Sequence, residues 1–186
     1  NFKGPNNPVE KVSWDEAVEF CDLLSGLPDE QAAGRVYRLP TEAEWEFACR
    51  AGTTTEFCFG EDELQLGNYA WYGANSDSQT HPVGLKQPNA WGLYDMHGNV
   101  LEWCADFYGD YSDEAVTDPS GPSSGSIRLR RGGCWISEAK ACRSALRYGN
   151  VPSSRFVNYG FRVALSLPEI PNEAEPAKIG SSPGGR

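Results

Sequence analysis

Gly92-Leu93-Tyr94-Asp95-Met96-His97-Gly98-Asn99-Val100-Leu101-Glu102-Trp103 is the stretch that decides how this chain is read. It places bulky residues that seek a core (Leu93, Tyr94, Met96, Val100, Leu101, Trp103) beside oxygen donors (Asp95, Asn99, Glu102). Gly92 and Gly98 permit a tight backbone path between them. Carboxylates spaced by glycine inside apolar sequence suggest a buried turn held by a hard cation. Ca²⁺ takes roughly six to eight oxygens, backbone carbonyls among them. The competing account is a glycine turn between strands with solvated acids.

Outward from that turn, composition sets bounds. The chain has 186 residues, 39% of them apolar, with six tryptophans. That is enough for one domain with a sizeable core, or a domain plus a tail. Twenty glycines and thirteen prolines predict many turns and few long helices. A net charge of −10 argues against nucleic acid or an anionic membrane as partner, and no basic stripe offsets it. No apolar run reaches the length of a membrane span, so no membrane insertion is expected. The six cysteines form no C-x-x-C pair, which argues against a zinc ribbon or a thioredoxin motif. Their even number suits disulfides and buried thiols equally. The compartment is not fixed by the sequence; a secreted or periplasmic setting is the favoured expectation.

Upstream, Pro5 and Pro8 keep residues 1–12 extended. Ser13 then caps a helix, with Glu16 completing a capping box. Trp14, Ala17, Val18, Cys21 and Leu24 share one face, and Gly26 and Pro28 stop the helix. A loop leads to a short strand, Val36–Leu39. Thr41 and Glu44 form a second capping box, and Ala43, Trp45, Phe47 and Ala48 are expected to face inward. Gly52 ends that helix. From residue 53 onward the pattern is short apolar clusters between turn residues: 56–59, 69–72, 100–103, 127–129 and 161–165. These read as short strands under long loops. Residues 109–126 read as a surface loop. The expected domain is 1–167, with 168–186 a disordered tail. The predicted class is α+β, with two helices, short twisted antiparallel strands and high loop content.

At this point several motifs, in order, resemble the formylglycine-generating enzyme (sulfatase-modifying factor) superfamily. They are Pro8-Val9-Glu10 with Val12-Ser13-Trp14, and Arg38-Leu39-Pro40-Thr41-Glu42-Ala43-Glu44-Trp45-Glu46. Pro88-Asn89, Gly92 to Met96, Gly98-Asn99-Val100 and Glu102-Trp103 follow, then Arg131-Gly132-Gly133 and Gly160-Phe161-Arg162. The resemblance implies a C-type-lectin-like fold stabilised by structural Ca²⁺. One implied calcium site uses Asp95, the carbonyls of Gly98 and Val100, and Glu102. A second, looser one uses Asn68 and the carbonyl of Tyr69. Family domains usually carry further N-terminal strands, so the chain is compatible with a fragment of a longer protein.

The resemblance also implies a catalytic C-x-x-x-x-C pair that binds Cu(I), a soft ion preferring sulfur. Counted forward from Trp135, Ser137 takes the first thiol's place and Cys142 the second's. Counted back from Gly160, both thiols are missing. Copper is therefore not expected. If the chain is active, Cys142 and Cys134 are the candidate catalytic thiols. Iron chemistry, which relatives of this scaffold run with a histidine cluster, would have only His81 and His97 to draw on. Arg147 and Asn158 match substrate-pocket positions, though Arg147 is equally read as a structural salt bridge. Leu101 stands where the pocket has tryptophan.

Residues 146–159 mix Tyr148, Phe156 and Tyr159 with small polar residues and arginines, a composition suited to adaptable binding loops. The alternative is that these aromatics cap the core. The preferred expectation is a module that binds a protein or small-molecule ligand through Trp135, Arg147, Tyr148, Phe156, Asn158 and Tyr159. The alternative is a copper-dependent oxidase converting a sulfatase cysteine to formylglycine. Cys104 and Cys142 are expected to meet, with Cys49 another candidate partner for Cys142.

Overall fold

The computed structural model describes residues 4–112 and 114–166; the tail expected over 168–186 lies outside them. Both capping boxes form. The Ser13 hydroxyl accepts from Glu16 N–H, and the Glu16 carboxylate accepts from Ser13 N–H, opening α1 (Trp14–Ser25). Thr41 and Glu44 do the same for α3 (Glu42–Arg50). These bonds satisfy backbone donors that a helix start leaves open. Two short helices go beyond the sequence reading. Pro28 opens α2 (Pro28–Ala32) at a position where its missing N–H costs nothing. A 3₁₀ turn runs into α4 (Leu66–Tyr69).

The strands are β1 (Val36–Arg38), β2 (Leu101–Phe107), β3 (Arg128–Arg131), β4 (Tyr148–Asn150), β5 (Tyr159–Phe161) and β6 (Ala164–Ser166). β1 and β6 pair antiparallel as a two-stranded ribbon. The other four form a sheet in the order β4-β3-β2-β5, antiparallel except for the β2–β5 pair. The clusters at 56–59 and 69–72 are not strands. Phe57 makes a single bridge to Gly60, and Trp71 a single bridge to Gly98. Loop 109–126 is free of helix and strand among its described residues. No described helix is long and apolar enough to cross a membrane.

Three apolar clusters form the core. Val12, Ala17, Cys21, Leu39, Leu101, Trp103, Cys134 and Tyr159 make the first. Trp45, Cys49, Met96, Cys104 and Leu129 make the second. Phe57, Leu66, Ala70, Ala139 and Cys142 make the third. The buried stripe of α3 is Glu42, Trp45 and Cys49. Phe47 is 67% exposed, against expectation, with its ring on the edge of Trp91.

His97 joins the second and third clusters. It is 1% exposed, with Nδ1 2.7 Å from the Cys142 carbonyl and Nε2 3.2 Å from Cys58 N–H. A carbonyl can only accept and an amide only donate, so the ring is the neutral tautomer protonated at Nδ1. Burial pulls its pKa down from 6.5 to about 4. The unfolded chain takes up this proton below pH 6.5 and the folded one only near 4. The stabilisation from His97 is therefore complete above 6.5 and disappears as pH falls toward 4. Urea unfolding at pH 7.5 and 4.5 is expected to show about 2–3 kcal/mol of loss from this residue. A His97→Gln variant, less stable throughout, should show that much less pH dependence.

Candidate functional site

The turn that leads into β2 is built from left-handed residues. Asp95 (φ 54°), Gly98 (φ 79°) and Asn99 (φ 58°) all take positive φ. A Cβ on Gly98 would stand 2.3 Å from the Trp71 carbonyl, so only glycine fits there. Asn99 holds the turn to residue 81: its Oδ1 accepts from His81 N–H and its Nδ2 donates to the His81 carbonyl, both at 3.1 Å. Asp95 Oδ2 accepts from Gly84 N–H at 2.8 Å, and its other oxygen lies 3.4 Å from Asn99 Nδ2. Burial pushes the Asp95 carboxyl above its ordinary value; the Gly84 amide opposes this and the nearby Glu102 charge adds to it.

Glu102 is held differently. Its Oε2 accepts from Trp45 Nε1 at 2.7 Å and from Arg162 Nε at 2.5 Å, and its Oε1 accepts from Arg162 Nη2 at 2.7 Å. Asp95, Asn99, Glu102 and Arg162 line one cavity of about 400 Å³. Among the described residues, no three His, Cys, Asp or Glu side chains group around a common point. An ion in this turn would therefore depend on backbone carbonyls such as those of Gly98 and Val100. Asn68, of the second expected site, is exposed and donates to Gln65 Oε1, while Tyr69 stacks on Phe59.

The segment after β3 turns through Gly132 and Gly133, both at positive φ. A Cβ on Gly133 would lie 2.6 Å from Cys142 Sγ. Cys134 N–H donates to Ser137 Oγ at 2.9 Å, and the Cys134 sulfur is 3.3 Å from that hydroxyl. Asn158 Nδ2 donates to the same sulfur at 3.3 Å. Cys142 is fully buried in the third cluster, where burial pushes its thiol up to about 12. The expected meeting of Cys104 and Cys142 does not occur, because Cys104 packs in the second cluster between α3 and the sheet. All six cysteines are unpaired and buried.

Arg147 is a structural ion pair. It grips Glu42 with Nε–Oε1 at 2.6 Å and Nη2–Oε2 at 2.8 Å, and donates to the Gly109 carbonyl at 2.8 Å. The Tyr108 and Tyr111 rings lie 4.9 and 4.1 Å from its guanidinium carbon. Arg131 binds the same region through Glu46 and Glu42. The sequence reading missed Glu42 as the receiver of these charges. Its signal was present: it lies three residues before Trp45 and seven before Cys49, on the buried stripe.

Of the aromatic residues expected at the surface, Phe156 is 53% exposed and Tyr148 is half-buried. Tyr159 is buried instead. Its ring meets Trp103 edge-on, Arg130 lies 3.9 Å from its centre, and its hydroxyl accepts from Asn150. Pairing of β5 with β2 turns Tyr159 into the sheet. Trp135 is also buried. Of this segment Ile136, Val151 and Phe156 are exposed, and the Phe156 ring lies 5.0 Å from that of Tyr159.

A family profile described as the sulfatase-modifying factor enzyme 1-like domain matches residues 2–167. The chain is 37% identical over 177 residues to the formylglycine-generating enzyme of Streptomyces coelicolor, covering 86% of this chain and 53% of that protein. It spans about half the length of the curated relatives it matches. Treponema denticola variable protein 1 superposes with a TM-score of 0.80 at 35% identity, over 90% of this chain and 74% of that one. PvdO from Pseudomonas aeruginosa gives 0.77 at 37% identity, over 89% and 64%. With the two capping boxes, the carboxylate turn and the double-glycine bend in the same order as the motifs above, the chain belongs to the sulfatase-modifying factor family and has its formylglycine-generating-enzyme-like α+β fold.

Proposed function

We propose that this domain is a binding module on the formylglycine-generating-enzyme scaffold. Its working surface is the Trp135–Tyr159 segment, and it takes a protein or small-molecule ligand. One observation carries this reading: Cys142 is sealed in the core, and the first copper thiol is replaced by Ser137 on the forward count, or both thiols are missing on the count back from Gly160. A hydroxyl is a poor donor to Cu(I), and a thiol pushed to about 12 is scarcely ionised at neutral pH. Cys134 lies against Cys142, but the two are not at the spacing of the expected C-x-x-x-x-C pair, and this supports binding over copper oxidation. The identity to formylglycine-generating enzymes keeps the oxidase as the second reading.

Structural calcium belongs to the same proposal. Asp95 and Glu102, with the carbonyls of Gly98 and Val100, would hold one ion. Asn68 and the Tyr69 carbonyl would contribute to a second. Two points favour the first site. Asp95 is a buried carboxylate with no salt bridge among the described residues, and a second carboxylate raises its pKa. A bound dication would relieve that repulsion and fasten the loop to β2.

Two measurements test this reading. Incubation with Cu(I), O₂ and a Cys-x-Pro-x-Arg peptide is expected to leave the peptide mass unchanged. Conversion of the cysteine CH₂SH to an aldehyde would establish the oxidase instead. Chelation with EGTA is expected to lower the melting temperature of the wild type, by the equivalent of about 2–3 kcal/mol when calcium stands near a hundredfold above its Kd. An Asp95→Asn variant should not respond. An unchanged wild-type melt would remove calcium from the proposal.

A further inference from the structure

Six cysteines lie inside this fold, and the direction of its hydrogen bonds sets one of them apart. Cys49 donates its S–H toward the Met96 carbonyl or the Ser144 hydroxyl, and Cys104 toward the Glu102 carbonyl. Cys134 is on the receiving side. Asn158 Nδ2 donates to its sulfur at 3.3 Å. Ser137 Oγ lies 3.3 Å from the same sulfur and already accepts the Cys134 N–H at 2.9 Å, leaving its own O–H free to donate to the sulfur. A sulfur that receives two donors is held ready to carry negative charge. Burial opposes that charge at Cys21, Cys49, Cys58, Cys104 and Cys142, whose thiols it raises.

A second, independent observation lies beside it. Arg130 is only 4% exposed. Its Nη2 donates to the Gly149 carbonyl at 2.8 Å, while Nε and Nη1 have no hydrogen-bond partner among the described residues. The guanidinium carbon stands 3.9 Å from the centre of the Tyr159 ring and 5.2 Å from that of Trp103. Both rings pack with Cys134 in the first core cluster, and Cys134 is among the groups that act electrostatically on Arg130. A buried cation with two idle N–H groups is an unmet demand for an acceptor. A neutral thiol answers it weakly; an oxygen bonded to that sulfur answers it well.

We propose that Cys134 is a modification site for hydroperoxides, and that Asn158, Ser137 and Arg130 hold the sulfenic acid it forms. The site needs no copper and does not depend on the reading of the Trp135–Tyr159 segment as a binding surface. In the step, the Cys134 sulfur attacks the terminal oxygen of H₂O₂ or of an organic hydroperoxide. The S–O bond forms as the O–O bond breaks. Sulfur gives up two electrons, and the leaving oxygen takes the thiol proton to become water or an alcohol. The oxidant is small, and Ile136, two residues along the chain, is 64% exposed, so the path inward is short.

The test treats the whole chain with near-equimolar H₂O₂ and stops the reaction with catalase. Sulfenic acid is trapped with a 1,3-dione, remaining thiols are alkylated in denaturant, and each cysteine is read by peptide mass. Cys134 is expected to gain one oxygen about tenfold or more faster than any other cysteine. Ser137→Ala and Asn158→Ala should each slow it by about threefold or more, with melting temperatures near that of the wild type, since both residues are partly exposed. Equal rates across the six thiols would overturn the site. So would a Cys134 rate that climbs in dilute urea together with the others, because oxidation would then report opening alone. Fast oxidation unmoved by either variant would overturn the role of the two donors. A loss of 2 Da that joins Cys134 to Cys142 would overturn the sulfenic acid as the product held by Arg130.

Discussion

The fold hangs on a buried carboxylate, Glu102. It sits in β2, one of the two inner strands of the four-stranded sheet, and receives the Trp45 indole from α3 and the Arg162 guanidinium from the C-terminal side. Three elements far apart in sequence meet at two oxygen atoms. A carboxylate 6% exposed is tolerated because both of its oxygens accept from charged or polar donors. Losing one donor from such a pair costs about 3–5 kcal/mol, because the remaining charge is left buried without compensation. Glu42 repeats the arrangement on the same buried stripe of α3, where Arg131 from β3 and Arg147 from the chain before β4 close on it. The helix is thus pinned to the sheet by a carboxylate of its own and by one from the sheet.

This explains how residues 52–100 hold one course with almost no strand pairing. Backbone polar groups in a buried loop need partners, and here side-chain amides provide many of them. Asn89 donates to the carbonyls of Ala48 and Cys49 and accepts from the amides of Trp91 and Leu93. Asn99 holds residue 81, and Asn75 bridges the Ala70 carbonyl to the Tyr72 amide. Each asparagine acts as a short substitute for a strand partner. The loops are ordered by these fixed polar bonds, and the apolar clusters lie between them.

What the sequence revealed followed from how local each signal is. Ser13–Glu16 and Thr41–Glu44 are contacts three residues apart, so both caps were legible. The turn at 92–103 was legible because glycine and carboxylate spacing is itself local. Phe47 was misplaced because periodicity counts apolar residues, and α3 buries Glu42 on its inward stripe instead. That choice depends on Arg147, 105 residues away. Tyr159 looked like an exposed loop aromatic because its parallel pairing with Leu101 is non-local. The thiols were undecidable for the same reason: whether Cys104 and Cys142 meet depends on which cluster each joins. The family motifs carried the fold further than the local rules did, because they encode the non-local pairings together.

The distribution of sulfur has one more consequence. Cys21 and Cys134 lie in the first core cluster, Cys49 and Cys104 in the second and Cys142 in the third. Burial raises the thiols of Cys21, Cys49, Cys104 and Cys142. All six thiols are buried, so each adduct with an alkylating reagent records a moment when one part of the interior breathed open. Without any added label, the domain carries its own clocks for the opening of each layer of its core.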